Sequence, residues 1–268
     1  MPWRSPSITS TILRKICAEL LYDVEGRSAL LSLARASTLF YEYAMEVLWN
    51  MLPHLGPLIY TMPSDLWKVD LKPRDVFSSS LTHVISFVRP LVASDFARFV
   101  TYAPRIRQLG GLFMISYGCL RKCGVSSDVL RVLNEFRPLS SLLPNLEHLE
   151  WTTVVFGGRD ILPWVQMLYG PKLRYFLLTT YDQGSEEAWI TTMKSLRKKC
   201  PGIQQLGIDM LPSPGIHTVL AETVCSFRHL ISFDCSILYL HVDSLLHLAS
   251  LPTLQVLSAN FHMNSPRS

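Results

Sequence analysis

Missing from this sequence is any apolar run of the about eighteen residues that a membrane span requires. The longest, such as Ser28 to Ala34, are short and flanked by charge, so no transmembrane segment is expected. A hydrophobic signal core is missing too: Met1-Pro2-Trp3-Arg4-Ser5-Pro6 leads into isoleucines at helical spacing, which argues against secretion. Charge is sparse, at 17% of residues against 49% hydrophobic, a balance that suits a globular chain of one or two domains with a large core. Cysteine is scarce and scattered, at positions 17, 119, 123, 200, 225 and 235, mostly inside apolar patterns. A thiol used as a small buried hydrophobe fits a reducing compartment, so the expected location is cytoplasmic or nuclear.

No block of five like charges occurs. The densest run, Arg197-Lys198-Lys199, ends a predicted helix that starts at Glu186-Glu187, where both sets of charges complement the helix dipole. The positive charge lies in residues 61–140, with 11 Lys and Arg against 6 Asp and Glu, while the rest of the chain is close to neutral and the net charge is +4. One short cluster supplies too few phosphate contacts for useful affinity, so neither nucleic acid nor membrane is expected as a partner.

The usual marks of catalysis are equally scarce. No Gly-x-Ser-x-Gly elbow exists, and Gly110-Gly111 and Gly157-Gly158 extend to neither a dinucleotide nor a P-loop fingerprint. Cys119 and Cys123 could offer two thiolates to zinc, but no second ligand pair follows at the right spacing. His148, His229, His241 and His247 each adjoin apolar positions, where a hydrogen-bonded or surface histidine is commoner than a catalytic one. The expectation is a non-enzymatic protein without cofactor or metal.

What the sequence does contain is a repeat. A proline, a spacer and a Leu-x-x-Leu-x-apolar pattern occur at Pro144-Asn-Leu146-Glu-His-Leu149-Glu-Trp151, Pro171-Lys-Leu173-Arg-Tyr-Phe176-Leu-Leu178 and Pro201-Gly-Ile203-Gln-Gln-Leu206-Gly-Ile208. Leu230-Ile-Ser-Phe233-Asp-Cys235 lacks the proline, Pro252-Thr-Leu254-Gln-Val-Leu257-Ser-Ala259 restores it, and Pro104-Arg-Ile106-Arg-Gln-Leu109 is a degenerate early copy. From Leu146 onward the copies recur every roughly 24 to 30 residues. Helix-like stretches separate them at Asp160 to Tyr169, Ser185 to Cys200, Ile216 to Phe227 and Asp243 to Leu251. A strand–helix unit cannot bury its apolar face alone, so neighbours should stack, strands forming a parallel inner sheet and helices covering the outside.

Over about residues 100 to 265 the chain resembles the leucine-rich-repeat family. It departs from that family where an asparagine or cysteine is usual, with Val154, Tyr181, Leu211, Leu238 and His262 there instead. Irregular repeats of variable length are therefore expected. The last copy has no helix after its strand, as in an array cut short. Leu149, Phe176, Leu206, Phe233 and Leu257 share one offset and should form a buried column. Strand alternation places the partner-binding concave face at the residues between, among them His148, Glu150, Tyr175, Gln205, Asp209, Ser232, Asp234 and Ser258. With three carboxylates and no lysine or arginine over fifteen such positions, the face should be neutral to acidic.

At the amino terminus Ile8, Ile12, Ile16 and Leu20 recur every fourth residue beside Leu13, Cys17 and Leu21, drawing a wide apolar stripe that Ser7 or Thr9 would cap. Two more helical patterns follow, through Leu30-Leu31-Ser32-Leu33-Ala34 and through Phe40, Ala44, Val47 and Leu48 to Trp49. The order resembles an F-box, whose second helix carries Leu-Leu-x-Leu-Ala and whose end reads Ala-x-x-x-Leu-Trp. Met62-Pro-Ser-Asp-Leu-Trp67, Arg89-Pro-Leu91 and Asp95-Phe-Ala-Arg-Phe99 are similar to the linker of fungal, basidiomycete F-box-like proteins. The resemblance implies an α/β protein with an F-box-like helical module at 1–60, a helical linker at 61–103 and an irregular leucine-rich-repeat solenoid at 104–268. It also implies a substrate-recognition adaptor that docks on a Skp-type adaptor and cullin-RING ubiquitin ligase and holds a target protein. The docking residues would be Ile8, Ile12, Ile16, Leu20, Leu30, Leu31, Leu33 and Phe40. The alternative from the same residues is a leucine-rich-repeat interaction scaffold whose first helices only cap the array.

Overall fold

The computed structural model describes residues 6–21, 26–75, 78–110, 123–136, 141–152, 162–180, 186–210, 214–240 and 242–260. Three helices open it: α1 (Pro6–Leu20), α2 (Gly26–Ala36) and α3 (Thr38–Asn50). α1 starts at Pro6, whose fixed φ and missing N–H suit a first turn, so Ser7 and Thr9 lie inside the helix rather than capping it. The three helices contact one another around Cys17, Leu21, Leu30, Ala44, Val47 and Leu48, a core of their own.

α3 runs straight into β1 (Met51–Leu52), the first strand of a seven-stranded, wholly parallel sheet. The others are β4 (Gln108–Leu109), β6 (His148–Thr152), β7 (Tyr175–Thr180), β8 (Gln205–Met210), β9 (Ser232–Tyr239) and β10 (Val256–Asn260), in the order β1-β4-β6-β7-β8-β9-β10. Each new strand joins on the same side. A right-handed crossover made repeatedly in one direction puts every connecting helix on one face. Those helices are α7 (Leu162–Val165), α8 (Glu186–Lys199), α9 (Pro214–Ser226) and α10 (Val242–Ser250), each packed on the next. α7 is shorter than the stretch Asp160 to Tyr169; the chain turns at Gln166 to Leu168, and residues 153–161 lie outside the description.

The proline of the repeat has a physical role. Ile106, Leu146, Leu173, Ile203 and Leu254 each donate a backbone N–H to the carbonyl three residues earlier, at Ala103, Leu143, Gly170, Cys200 and Leu251. Proline stands at the second position of every one of these turns, where its fixed φ is the one required. After the turn, one carbonyl per repeat accepts two N–H groups from the next: Arg107 from Glu147 and His148, Glu147 from Arg174 and Tyr175, Arg174 from Gln204 and Gln205. Gln204 and Ile231 continue the series to β9 and β10. This ladder locks the register of successive strands.

The register carries Leu52–Leu109–Leu149–Phe176–Leu206–Phe233–Leu257 across all seven strands. The first six are buried, whereas Leu257, on the outermost strand, is 42% exposed, contrary to the expectation of full burial. Trp189, Met193 and Leu196 of α8 and Leu220 and Val224 of α9 are buried in the same continuous core.

Residues 61–103 do not form the expected helical linker. Their centre is an antiparallel hairpin of β2 (Trp67–Asp75) and β3 (Ser78–Phe87), extended by β5 (Cys123–Val125), parallel to β3. Around it lie α4 (Gly56–Ile59), α5 (Phe96–Tyr102) and α6 (Ser127–Phe136). The three linker segments singled out in the sequence meet: Arg89 grips buried Asp95 with both terminal nitrogens, at 2.7 and 3.0 Å, and Asp65 through Nε at 2.7 Å. Asp95 also accepts the Val92 N–H at 3.0 Å, so one carboxylate fixes the start of the following turn.

Candidate protein-binding surfaces

Among the described residues two surfaces are left uncovered. The first is on the helical module. Burial of Leu13, Cys17 and Leu21 fixes which side of α1 faces inward, and Ile12 (53% exposed) and Ile16 (43%) are left pointing out. Ile12, Lys15, Ile16, Glu19 and Leu20 line an open groove of about 580 Å³. On α2, Leu31 is 46% exposed and Leu33 half-buried. Leu30 is wholly buried among the three helices, so it holds the module together and offers nothing to a partner, a correction to its expected docking role. Phe40 and Leu20 pack partly against that core, and the side chain of Ile8 lies outside the description. Leu39 and Tyr41, exposed to either side of Phe40, went unmarked in the sequence because they fall off the apolar stripe of α3.

The second surface is the sheet face opposite the helices. Because Leu149, Phe176, Leu206 and Phe233 face the core, their alternate neighbours face out. The register lines up Met51, Gln108, His148, Tyr175, Gln205, Ser232 and Val256 in one row. A second row runs Glu150, Leu177, Gly207, Asp234 and Ser258, and Thr152, Thr179 and Asp209 stand beyond it. The concave-face residues read from the sequence are thus brought to one side of one sheet.

The His148 and Tyr175 rings stack with centroids 3.8 Å apart and 5° between planes, and His148 Nε2 lies 3.1 Å from Glu150 Oε1. Burial, with the charges of Glu150 and Asp234, pushes the Tyr175 hydroxyl up to about 12. Burial and then Asp234 raise the Asp209 carboxyl above its ordinary value, and its Oδ1 is buried with no hydrogen-bond donor among the described residues. Gly207 leaves room for Leu177, whose methyl lies 2.5 Å from where a Cβ would stand. Gly110, with φ at +89°, turns the chain out of β4 against the Glu150 carbonyl, which a Cβ would meet at 2.0 Å.

No family model and no curated protein matches the chain. Among the described residues no group of three or more His, Cys, Asp or Glu is placed to hold a metal ion, and no helix is long and apolar enough to cross a membrane. Cys119 and the side chain of Cys123 lie outside the description. Cys200 donates its thiol to the Gly170 carbonyl at 3.2 Å, and burial pushes it up to about 12, far from the range of a reactive thiolate. His247 faces the Phe227 carbonyl at 3.1 Å, a structural contact.

Proposed function

We propose that the protein is a substrate-recognition adaptor of the Skp–cullin–F-box type, with an F-box-like helical module and a leucine-rich-repeat solenoid that holds a target protein in the cytoplasm or nucleus. The observation that carries the reading is the split of the amino-terminal apolar stripe. Leu13, Cys17 and Leu30 close the module, while Ile12, Ile16 and Leu31 stand in solvent, an arrangement that costs solubility unless a partner covers them. The parallel strand order and the proline turns support the repeat assignment. The ligase would supply the chemistry; this chain would position the target.

The cap reading has its own observation. Arg27 of α2 donates to the Met51 carbonyl, and Trp49 stacks on Tyr102 at 4.3 Å, so the helical module is fastened to the first strand and to α5. The two roles are compatible, because the fastening uses Arg27 of α2 and Trp49 of α3, whereas the exposed isoleucines lie on α1.

The test is capture of purified Skp adaptor by the full chain, with Ile12→Glu and Ile16→Glu as the variant. Capture by the wild type and its loss in a variant that still folds is the expected result. No capture by the wild type leaves the interaction-scaffold alternative. The whole chain is required, since Leu52, Leu55 and Leu58 belong to the large core and a cut at residue 60 would divide it.

A further inference from the structure

We propose that the open face of the sheet takes an arginine-bearing segment of the target; the inference rests on the adaptor reading only in calling the ligand a target. Glu150, Asp209 and Asp234 share this face with the stacked pair His148 and Tyr175 and with Leu177. Asp209 lies two residues on from Gly207, which pairs with Asp234, so the two aspartates are diagonal neighbours, about 8 Å apart at the spacing and rise of a parallel sheet. Like charges so placed repel: burial first and then the charge of Asp234 raise the Asp209 carboxyl, while burial first and then the charges of Glu150 and Asp234 raise the Tyr175 hydroxyl. Asparagine or threonine would serve the sheet better than a half-buried carboxylate whose Oδ1 has no donor among the described residues. A residue that opposes stability at an exposed face marks a place where something else compensates it.

The compensating group is a guanidinium. It carries the charge that relieves the two aspartates, its planar fork matches carboxylate oxygens, and its flat face stacks on aromatic rings such as Tyr175. Leu177, lying over Gly207, gives the aliphatic stem an apolar floor. An ammonium satisfies only the first of these requirements.

The test uses the full chain and a short fluorescein-labelled arginine–glycine peptide, with a citrulline–glycine peptide of the same shape but no charge as control. The arginine peptide is expected to bind, more weakly as salt rises, and the citrulline peptide to fail. Asp209→Asn with Asp234→Asn should weaken binding at least about tenfold while the melting temperature holds or rises, because the repulsion is gone. Glu150→Gln is a second, independent variant should the double one not fold. Equal binding of both peptides, or unchanged binding in the variants, overturns the proposal. Skp capture on the same samples separates the two readings. Capture without peptide binding overturns this inference and leaves the adaptor reading; peptide binding without capture supports it and removes docking.

Discussion

His54 is a buried ring that cannot afford a proton. Its Nδ1 accepts the Gly56 N–H at 3.0 Å, starting α4, and burial together with the Arg27 charge lowers it from 6.5 to about 4. Above pH 6.5 the ring is neutral in folded and unfolded chains alike and pH has no purchase on it. Between pH 6.5 and about 4 the unfolded chain takes up the proton and the folded one does not, so stability falls with pH, by roughly 3 kcal/mol over the window. His54→Asn keeps an acceptor for Gly56 without the titration. Its melting temperature should fall less steeply than that of the wild type from pH 6.5 to 4; parallel curves would show that His54 is not the responsible group. The sequence shows a histidine before a Gly-Pro turn and nothing of this, because its state depends on Arg27, twenty-seven positions away. The acidic face was legible further. Alternation alone assigns Glu150, Asp209 and Asp234 to one side, but the nearness of the two aspartates depends on the register between β8 and β9, which no single strand encodes.

The strands of the repeats could be read from the chain because each is announced locally, by a proline turn and by leucines set at a fixed distance beyond it. The hairpin of β2 and β3 carries no such announcement. Trp67, Val69 and Leu71 do alternate with polar residues, a strand signal, but Pro73 interrupts it, and the pairing with Phe87, Ile85 and His83 forms at a distance in sequence. Leu30 failed for another reason: two adjacent leucines on one helix point in different directions, and only the packing of α1 and α3 decides that Leu30 turns in and Leu31 out. The column of the sheet gives a graded prediction. Leu206→Ala should cost about 2 to 5 kcal/mol, because the site is closed on every side by Phe176, Phe233 and the helices. Leu257→Ala, half in solvent on the last strand, should cost much less. Urea unfolding of the two variants measures both; equal losses would mean that β10 is covered more fully than its exposure shows.

At the scale of the whole molecule, the described residues form two apolar cores that differ greatly in size. One runs without a break from Leu52 to Leu248 and takes in all the β–α units and the hairpin; the other is the small cluster of Cys17, Leu21, Leu30, Ala44, Val47 and Leu48. Each buried Leu or Val of that small cluster supplies only about 1.5 to 3 kcal/mol, and Ala44 less, against the entropy of ordering three helices, so the module's stability depends on its attachment. That attachment is made by α3, through its continuity with β1 and the Trp49–Tyr102 stack, while α1 and α2 join mainly through α3 and through Arg27. Opening of α1 and α2 should therefore cost less than opening of β6, β7 and β8, which are paired on both sides and sealed by helices on one face. Hydrogen exchange followed by mass spectrometry should show the amides of α1 and α2 exchanging well before those of the three central strands, with α3 between them. Adding purified Skp adaptor should then slow exchange in α1 and α2 and leave the strands unchanged, because a partner seated on Ile12, Ile16 and Leu31 stabilises only the state in which those helices are formed. Uniform exchange across α1 and β7 would mean that the two cores unfold as one. Protection gained in the strands instead of the helices would place the adaptor on the sheet and count against the docking role of the amino-terminal module.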